Sequence, residues 1–133
     1  MASGLSTAER NRYLTAQLKT ATVYGACCDA DPSDAGTMSG KEIAASYDYA
    51  RTEITFGDNA AAGTISNTAA LTFPAANGGS WGTISHLAIC TTDVEDADSM
   101  IMSGSLTASK LIDDGDQLVF AVGNIDVSIA AQA

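Results

Sequence analysis

Two patterns of apolar and polar positions divide the chain. In the first twenty residues Ser6 is followed three positions later by Glu9, a capping box that predicts a helix from about residue 7 to about residue 20. Its apolar positions Tyr13, Leu14 and Leu18, with Ala16 beside them, form a narrow stripe suited to lying on a sheet. From residue 21 onward the chain breaks into short runs rich in Thr, Val, Ile, Tyr and Phe, separated by Gly, Asp, Asn and Pro. Eight such runs predict strands near residues 21–28, 42–47, 50–56, 64–73 (as one run or two), 82–90, 100–106, 117–122 and 125–129. Ile125, Val127 and Ile129 alternate with Asp126 and Ser128, as do Ile54 and Phe56 with Thr55, so several strands have one wet face. Asn77-Gly78-Gly79, Asp114-Gly115 and Gly57-Asp58-Asn59 supply tight turns, and Pro32 and Pro74 stand at run ends. The expected fold is all-β, an antiparallel two-sheet sandwich of jelly-roll type preceded by an N-terminal α-helical arm, with the arm in residues 1–20 and the sandwich in residues 21–133.

Charge narrows the function classes. Sixteen acidic and six basic residues give a net charge of −10, which opposes phosphate neutralisation, so no nucleic-acid partner is expected. Residues 1–51 hold five basic and six acidic groups, whereas residues 52–133 hold Lys110 alone against ten acidic groups. A near-neutral arm on an acidic body orients the molecule on a partner; the same acidity also keeps an Ala-rich surface soluble. There is no apolar stretch of the roughly 18–20 residues that a membrane span requires, and no basic segment leads into an apolar one at the N-terminus. A chain staying in the cytosol where it is made, without a membrane partner, is the expectation. Cys27 and Cys28 are adjacent and point to opposite faces of a strand, and Cys90 is distant in sequence. All three read as reduced, with a bridge from Cys90 to Cys27 or Cys28 as the alternative.

Candidate chemistry is sparse. One His and three Cys give zinc sites and His-based catalysis little material. Gly78-Gly79-Ser80-Trp81-Gly82 matches the G-x-S-x-G nucleophile elbow, but that motif needs a strand-to-helix turn with an acid and then a His downstream. Here the sole His, His86, lies on what reads as the following strand. The segment is therefore a Gly-rich hairpin leading Trp81 into a sheet; no catalytic residue is assigned and no enzyme is expected. His86 shares a strand face with Ile84 and Ala88 and is expected to be hydrogen-bonded within the fold or at a subunit contact. Asp29, Asp31 and Asp34; Asp93, Glu95, Asp96 and Asp98; and Asp113, Asp114 and Asp116 form three acidic clusters, none with EF-hand spacing. They read as solvated loops, the middle one being the best Ca²⁺ candidate, and no metal or cofactor is assigned. Tyr47, Tyr49 and Trp81 could form a small carbohydrate-contact patch, though such residues are more often core or interface anchors.

The order of segments completes the reading. A helix leads to Thr22-Val23-Tyr24 and Asp31-Pro32, then Tyr49-Ala50-Arg51, a strand ending at Phe56, Leu71-Thr72-Phe73-Pro74-Ala75-Ala76 and Trp81-Gly82-Thr83-Ile84-Ser85-His86. A Gly104 to Lys110 segment and a Gly115-Asp116 turn follow. This order resembles a group of small tailed-bacteriophage virion proteins, variously described as tail-fibre, minor structural or capsid decoration proteins. After Val23-Tyr24 the chain departs from that pattern, with Gly25-Ala26-Cys27-Cys28 in place of a more aliphatic strand. The resemblance implies a protein of the phage particle; a helical arm with a near-neutral face and sandwich edges that assembly would cover make the leading reading a capsid decoration (cement) protein on the capsid surface that binds the major capsid protein as a homo-oligomer, a trimer. The alternative is a tail-fibre or collar module, or one that binds a host glycan. By position and residue type, Arg10, Arg12, Tyr13, Leu14 and Leu18 are the candidate capsid contacts, and Trp81 and His86 the candidate oligomer contacts.

Overall fold

A computed structural model describes residues 4–130. It is mostly β, with antiparallel sheets and one N-terminal α-helix. The chain forms two compact units, one taking the chain up to Thr22, Ile54–Leu71 and the stretch from Phe120 onward, the other Val23–Glu53 and Thr72–Val119.

In the first unit α1 spans Thr7–Leu14, and the chain continues as a π-helical segment, Thr15–Thr20. Ser6 caps α1 as its sequence pattern requires, its Oγ accepting from the Glu9 amide at 3.2 Å. Glu9 itself turns to Arg12 at 2.7 Å. Asn11, Thr15 and Lys19 follow one another at four-residue intervals, and each takes a group of the 59–63 loop. Asn11 Oδ1 accepts from the Gly63 amide (2.7 Å), Thr15 Oγ1 accepts from the Ala60 amide (3.0 Å), and Lys19 Nζ donates to Asn59 Oδ1 (2.8 Å). Gly63 is required at this approach: its φ is +74°, and a Cβ there would lie 2.5 Å from the Arg10 guanidinium. α1 packs on β3 (Thr64–Ser66), which pairs antiparallel with β8 (Asp126–Ser128) through Ile65 opposite Val127. Leu14 and Leu18 are fully buried. Asn67, also buried, pins the turn before β8: its Nδ2 donates to Ala69 O and Ala121 O, and its Oδ1 accepts from the Ile125 amide.

The second unit is organised by a four-stranded sheet of order β2-β1-β5-β6, formed by Thr52–Ile54, Val23–Cys28, Gly82–Cys90 and Met100–Ile112. β5 pairs antiparallel with both neighbours, Ala26 standing opposite Ala88 and Leu87 opposite Gly104. Ala26, Cys28, Met38, Ala88 and Cys90 make one buried cluster, with Met100 packed against it. The small residues after Tyr24 are thus a packing choice, since Ala and Cys at paired positions make room for Met38. β4 (Leu71–Thr72) and β7 (Val119–Phe120) form a separate short ladder.

Two predicted elements differ, and the alternative left open for a third is resolved. Residues 42–47 are not a strand: a single bridge joins Glu42 to Cys28, and Tyr47 and Asp48 take φ of +53° and +65°, which ends any extended run. The 64–73 run is two strands, interrupted around the buried Asn67. β6 continues to Ile112, six residues past its expected end. It contains two irregularities: Ile101 is extra between the Met100 and Met102 pairings, and residues 106–109 stand against Ser85 alone.

Candidate functional site

The strongest polar constellation is buried in the second unit. Glu42, which follows a turn closed by its amide donating to Met38 O (2.8 Å), points its carboxylate inward to Arg51 just before β2. Arg51 Nη2 donates to Glu42 Oε1 at 2.8 Å and Nε to Oε2 at 3.0 Å, both side chains being wholly buried. Tyr49 donates its hydroxyl proton to Glu42 Oε2 at 2.5 Å and accepts from the Cys27 amide at 3.0 Å. The rest of the guanidinium is equally engaged, with Nη1 on Thr92 O and Ser99 Oγ and Nη2 on Ala97 O. The Asp96 amide returns a bond to Glu42 Oε1 at 2.8 Å. Burial works against the Arg51 charge and is the largest single influence on it, but the Glu42 hydrogen bonds and the charge interactions with Cys90, Glu42 and Tyr49 together outweigh it and raise its pKa. Burial, with the nearby Cys27 and Glu42, raises Tyr49 as well, so its hydroxyl stays a proton donor.

This centre accounts for the middle acidic cluster. The 92–99 loop closes over Arg51 through the Thr92 and Ala97 carbonyls and the Ser99 hydroxyl, so an interior cation holds its shape. Among the described residues no group of three or more His, Cys, Asp or Glu side chains is placed to hold a metal ion.

The three cysteines are free and buried. Burial, with Glu42 and Cys90 nearby, pushes the Cys28 thiol from its ordinary value of 9.0 up to about 12. Burial also raises Cys27 and Cys90. A thiol whose folded pKa is raised gives its full stabilisation below the unfolded value and loses it as pH climbs through the folded one. The thiols' contribution to stability is therefore flat through neutral pH and falls above about pH 9, by up to about 1.4 kcal/mol per pH unit for each thiol that ionises only on unfolding, and Tm is expected to fall with it. A melting series run into the alkaline range checks this; a flat Tm to pH 11 counts against it.

The residues expected to contact a capsid are divided by the structure. Arg12 and Tyr13 are exposed, whereas Leu14, Leu18 and Arg10 are interior. The physical reason is their spacing: positions 10, 14 and 18 lie on one helix face, and that face is the one the first unit covers. Arg10 donates to Ile129 O (2.9 Å) and Thr7 Oγ1 (2.8 Å), while its buried Nε has no hydrogen-bond partner. Trp81 is buried too, edge-on to Tyr49 with ring centroids 5.3 Å apart, its Nε1 donating to Tyr47 O. Of the aromatic patch only Tyr47 is exposed, its ring lying against Gly79. His86 is half-buried, its Nδ1 paired with Ser85 Oγ at 2.8 Å. Ser80 Oγ donates to Ile112 O and accepts from the Gly82 amide, so the G-x-S-x-G serine and the histidine are engaged separately. The Glu42–Arg51 pair was not foreseen; the available signal was an arginine amid short strands in an acidic chain.

A β-rich chain whose interior ion pair fixes a surface loop has the make-up of a structural module, and comparison with known families gives its class: a bacteriophage virion structural protein. The chain belongs to the family described as Podophage GP4 fiber I protein gp80, whose model matches residues 5–128. A search of the curated proteins found no match.

Proposed function

We propose that the protein is a fibre component of a podophage particle that works by binding and not by catalysis. The carrying observation is the family match across residues 5–128, whose description names a fibre protein. The locked 92–99 loop and the separate engagement of Ser80 and His86 fit a module that presents fixed surfaces. A second reading, capsid decoration, is favoured by one feature: Arg12 and Tyr13 stand exposed side by side on α1. In that reading they contact the major capsid protein on the capsid surface and copies associate as a homotrimer. A jelly-roll sandwich arrangement of the sheets belongs to the same proposal, as does the absence of nucleic-acid, membrane and cofactor partners.

Copy number per purified particle, measured by gel densitometry against the major capsid protein, separates the two. A fibre component is expected at a few copies per hundred capsid subunits. A ratio near one to one, or a simple lattice fraction, overturns the fibre reading in favour of decoration.

A further inference from the structure

We propose that the outer edge of β6 over residues 100–105 is a docking site for an extended segment of another virion protein that carries alternate Lys or Arg side chains and adds to the sheet as a fifth strand. The proposal deepens the reading above and rests on it for the existence of a virion partner.

β6 is the outermost strand of its sheet, pairing with β5 on one side and, among the described residues, with no strand on the other. A free edge presents a row of backbone N–H and C=O groups, which proteins ordinarily blunt with charges, proline or bulges. Along Met100–Ile112 there is no proline and a single charge, Lys110, in a chain with twenty-two charged residues. Irregularities at Ile101 and at residues 106–109 interrupt the ladder on either side, but residues 102–105 pair with Ile89, Ala88, Leu87 and His86 without interruption. An unblunted stretch is thus confined to the N-terminal half of β6. Ser103, Gly104 and Ser105 there are exposed, and Met100, Ile101 and Met102 are half-buried.

The surroundings select the occupant. Beside this stretch, between the 31–36 loop and the start of β6, lies a groove of about 610 Å³. Asp31, Asp34 and Asp98 line it with Met100 and Met102, and no cationic side chain does. Two of the carboxylates are held in place by the backbone: Asp31 Oδ1 accepts from the Ser33 amide and Asp98 Oδ1 from the Met38 amide, each at 2.8 Å. Each leaves its second oxygen for a ligand. In an added strand every second side chain points to one face, so alternate Lys or Arg residues would run into this groove, their stems along the methionines and their heads at the carboxylates. A second copy of β6 fits poorly. It brings one cation, and acidic loops at 93–98 and 113–116 flank it, so self-pairing sets like charges against each other.

The test uses the full chain and a synthetic capped peptide, Thr-Lys-Thr-Val-Thr-Lys-Thr, with a counterpart carrying Glu in place of both Lys. Backbone amide exchange is read by mass spectrometry, and affinity by calorimetry. The lysine peptide is expected to slow exchange within residues 100–105, and the D31N/D34N double variant to weaken its binding by about tenfold. Asn keeps the Oδ1 acceptor that Asp31 gives Ser33, so the variant preserves the loop. The proposal is overturned if exchange is unchanged at millimolar peptide, or if the glutamate peptide binds equally well. It is also overturned if the chain alone shows protection at residues 100–105 that grows with its own concentration, which would assign the edge to a second copy. No particle enters this assay, so its failure is distinct from a copy number that overturns the fibre reading.

Discussion

Replacing Arg51 with Met is expected to cost about 3–5 kcal/mol of stability, with a fall in Tm of about 10–20 °C. The cost does not measure the attraction between two charges. Removing the guanidinium leaves the Glu42 carboxylate buried with only the Tyr49 hydroxyl and the Asp96 amide as donors, takes from Thr92 O its guanidinium donor, and leaves Ala97 O with the Ser99 amide and Ser99 Oγ with Thr92 Oγ1. Two measurements separate these contributions. Changing both residues, Glu42→Leu with Arg51→Met, removes the uncompensated charge and is expected to recover part of the loss, because a well-packed apolar pair is often as stable as a buried ion pair. The 92–99 loop is expected to stay loosened in the double variant, since its three hydrogen bonds to the guanidinium are still missing, and amide exchange across the loop reads this directly. An Arg51→Met change of less than about 1 kcal/mol, within the range of exposed ion pairs, would show that the pair is not buried as described.

That centre also marks where local sequence stops being informative. Ser6 and Glu9 announce the helix because a cap is a short-range interaction, and the cap forms as expected. β5 was legible end to end because its run of Thr, Ile, Leu, Ala and Cys suits a strand paired on both sides, and its second half, Leu87–Cys90, is buried throughout. Residues 42–47 were misleading for the opposite reason. Ile43 and Ala44 suggest a strand, but the conformation is set by where the Glu42 carboxylate must go, and its partner lies nine residues on with no periodicity between them. The second half of β6 was invisible because Ser, Thr and Ala exposed on both faces leave no apolar pattern; its strand state comes from pairing with β5. As for the site, residue types alone gave the exposed helix positions and the acidic loops but not what holds them. Arg10 reads as an outward contact and is interior; Arg51 carries no assigned role in the sequence and is interior too.

Leu14→Ala and Leu18→Ala are each expected to cost about 2–5 kcal/mol, whereas Tyr13→Ala is expected to change stability by no more than about 0.5 kcal/mol. Leu14 and Leu18 are fully buried; Tyr13, beside Leu14 in sequence, is 45% exposed. The contrast tests what the N-terminal helix is for. A separable arm, docking only on a partner, would let Leu14 and Leu18 be shortened with little effect on the isolated chain and a large effect on particle binding. A helix that closes the first unit gives the reverse order. Three of its side chains, Asn11, Thr15 and Lys19, already hold the 59–63 loop, and Arg10 reaches Ile129 O next to β8. About fourteen helical residues are marginal in water without a surface to pack on, so loss of Leu14 is expected to release both the helix and that loop. Urea melts of the three variants decide it: if Leu14→Ala melts with wild-type midpoint and slope, the helix is an arm after all, and Arg12 and Tyr13 regain their buried neighbours as contact residues.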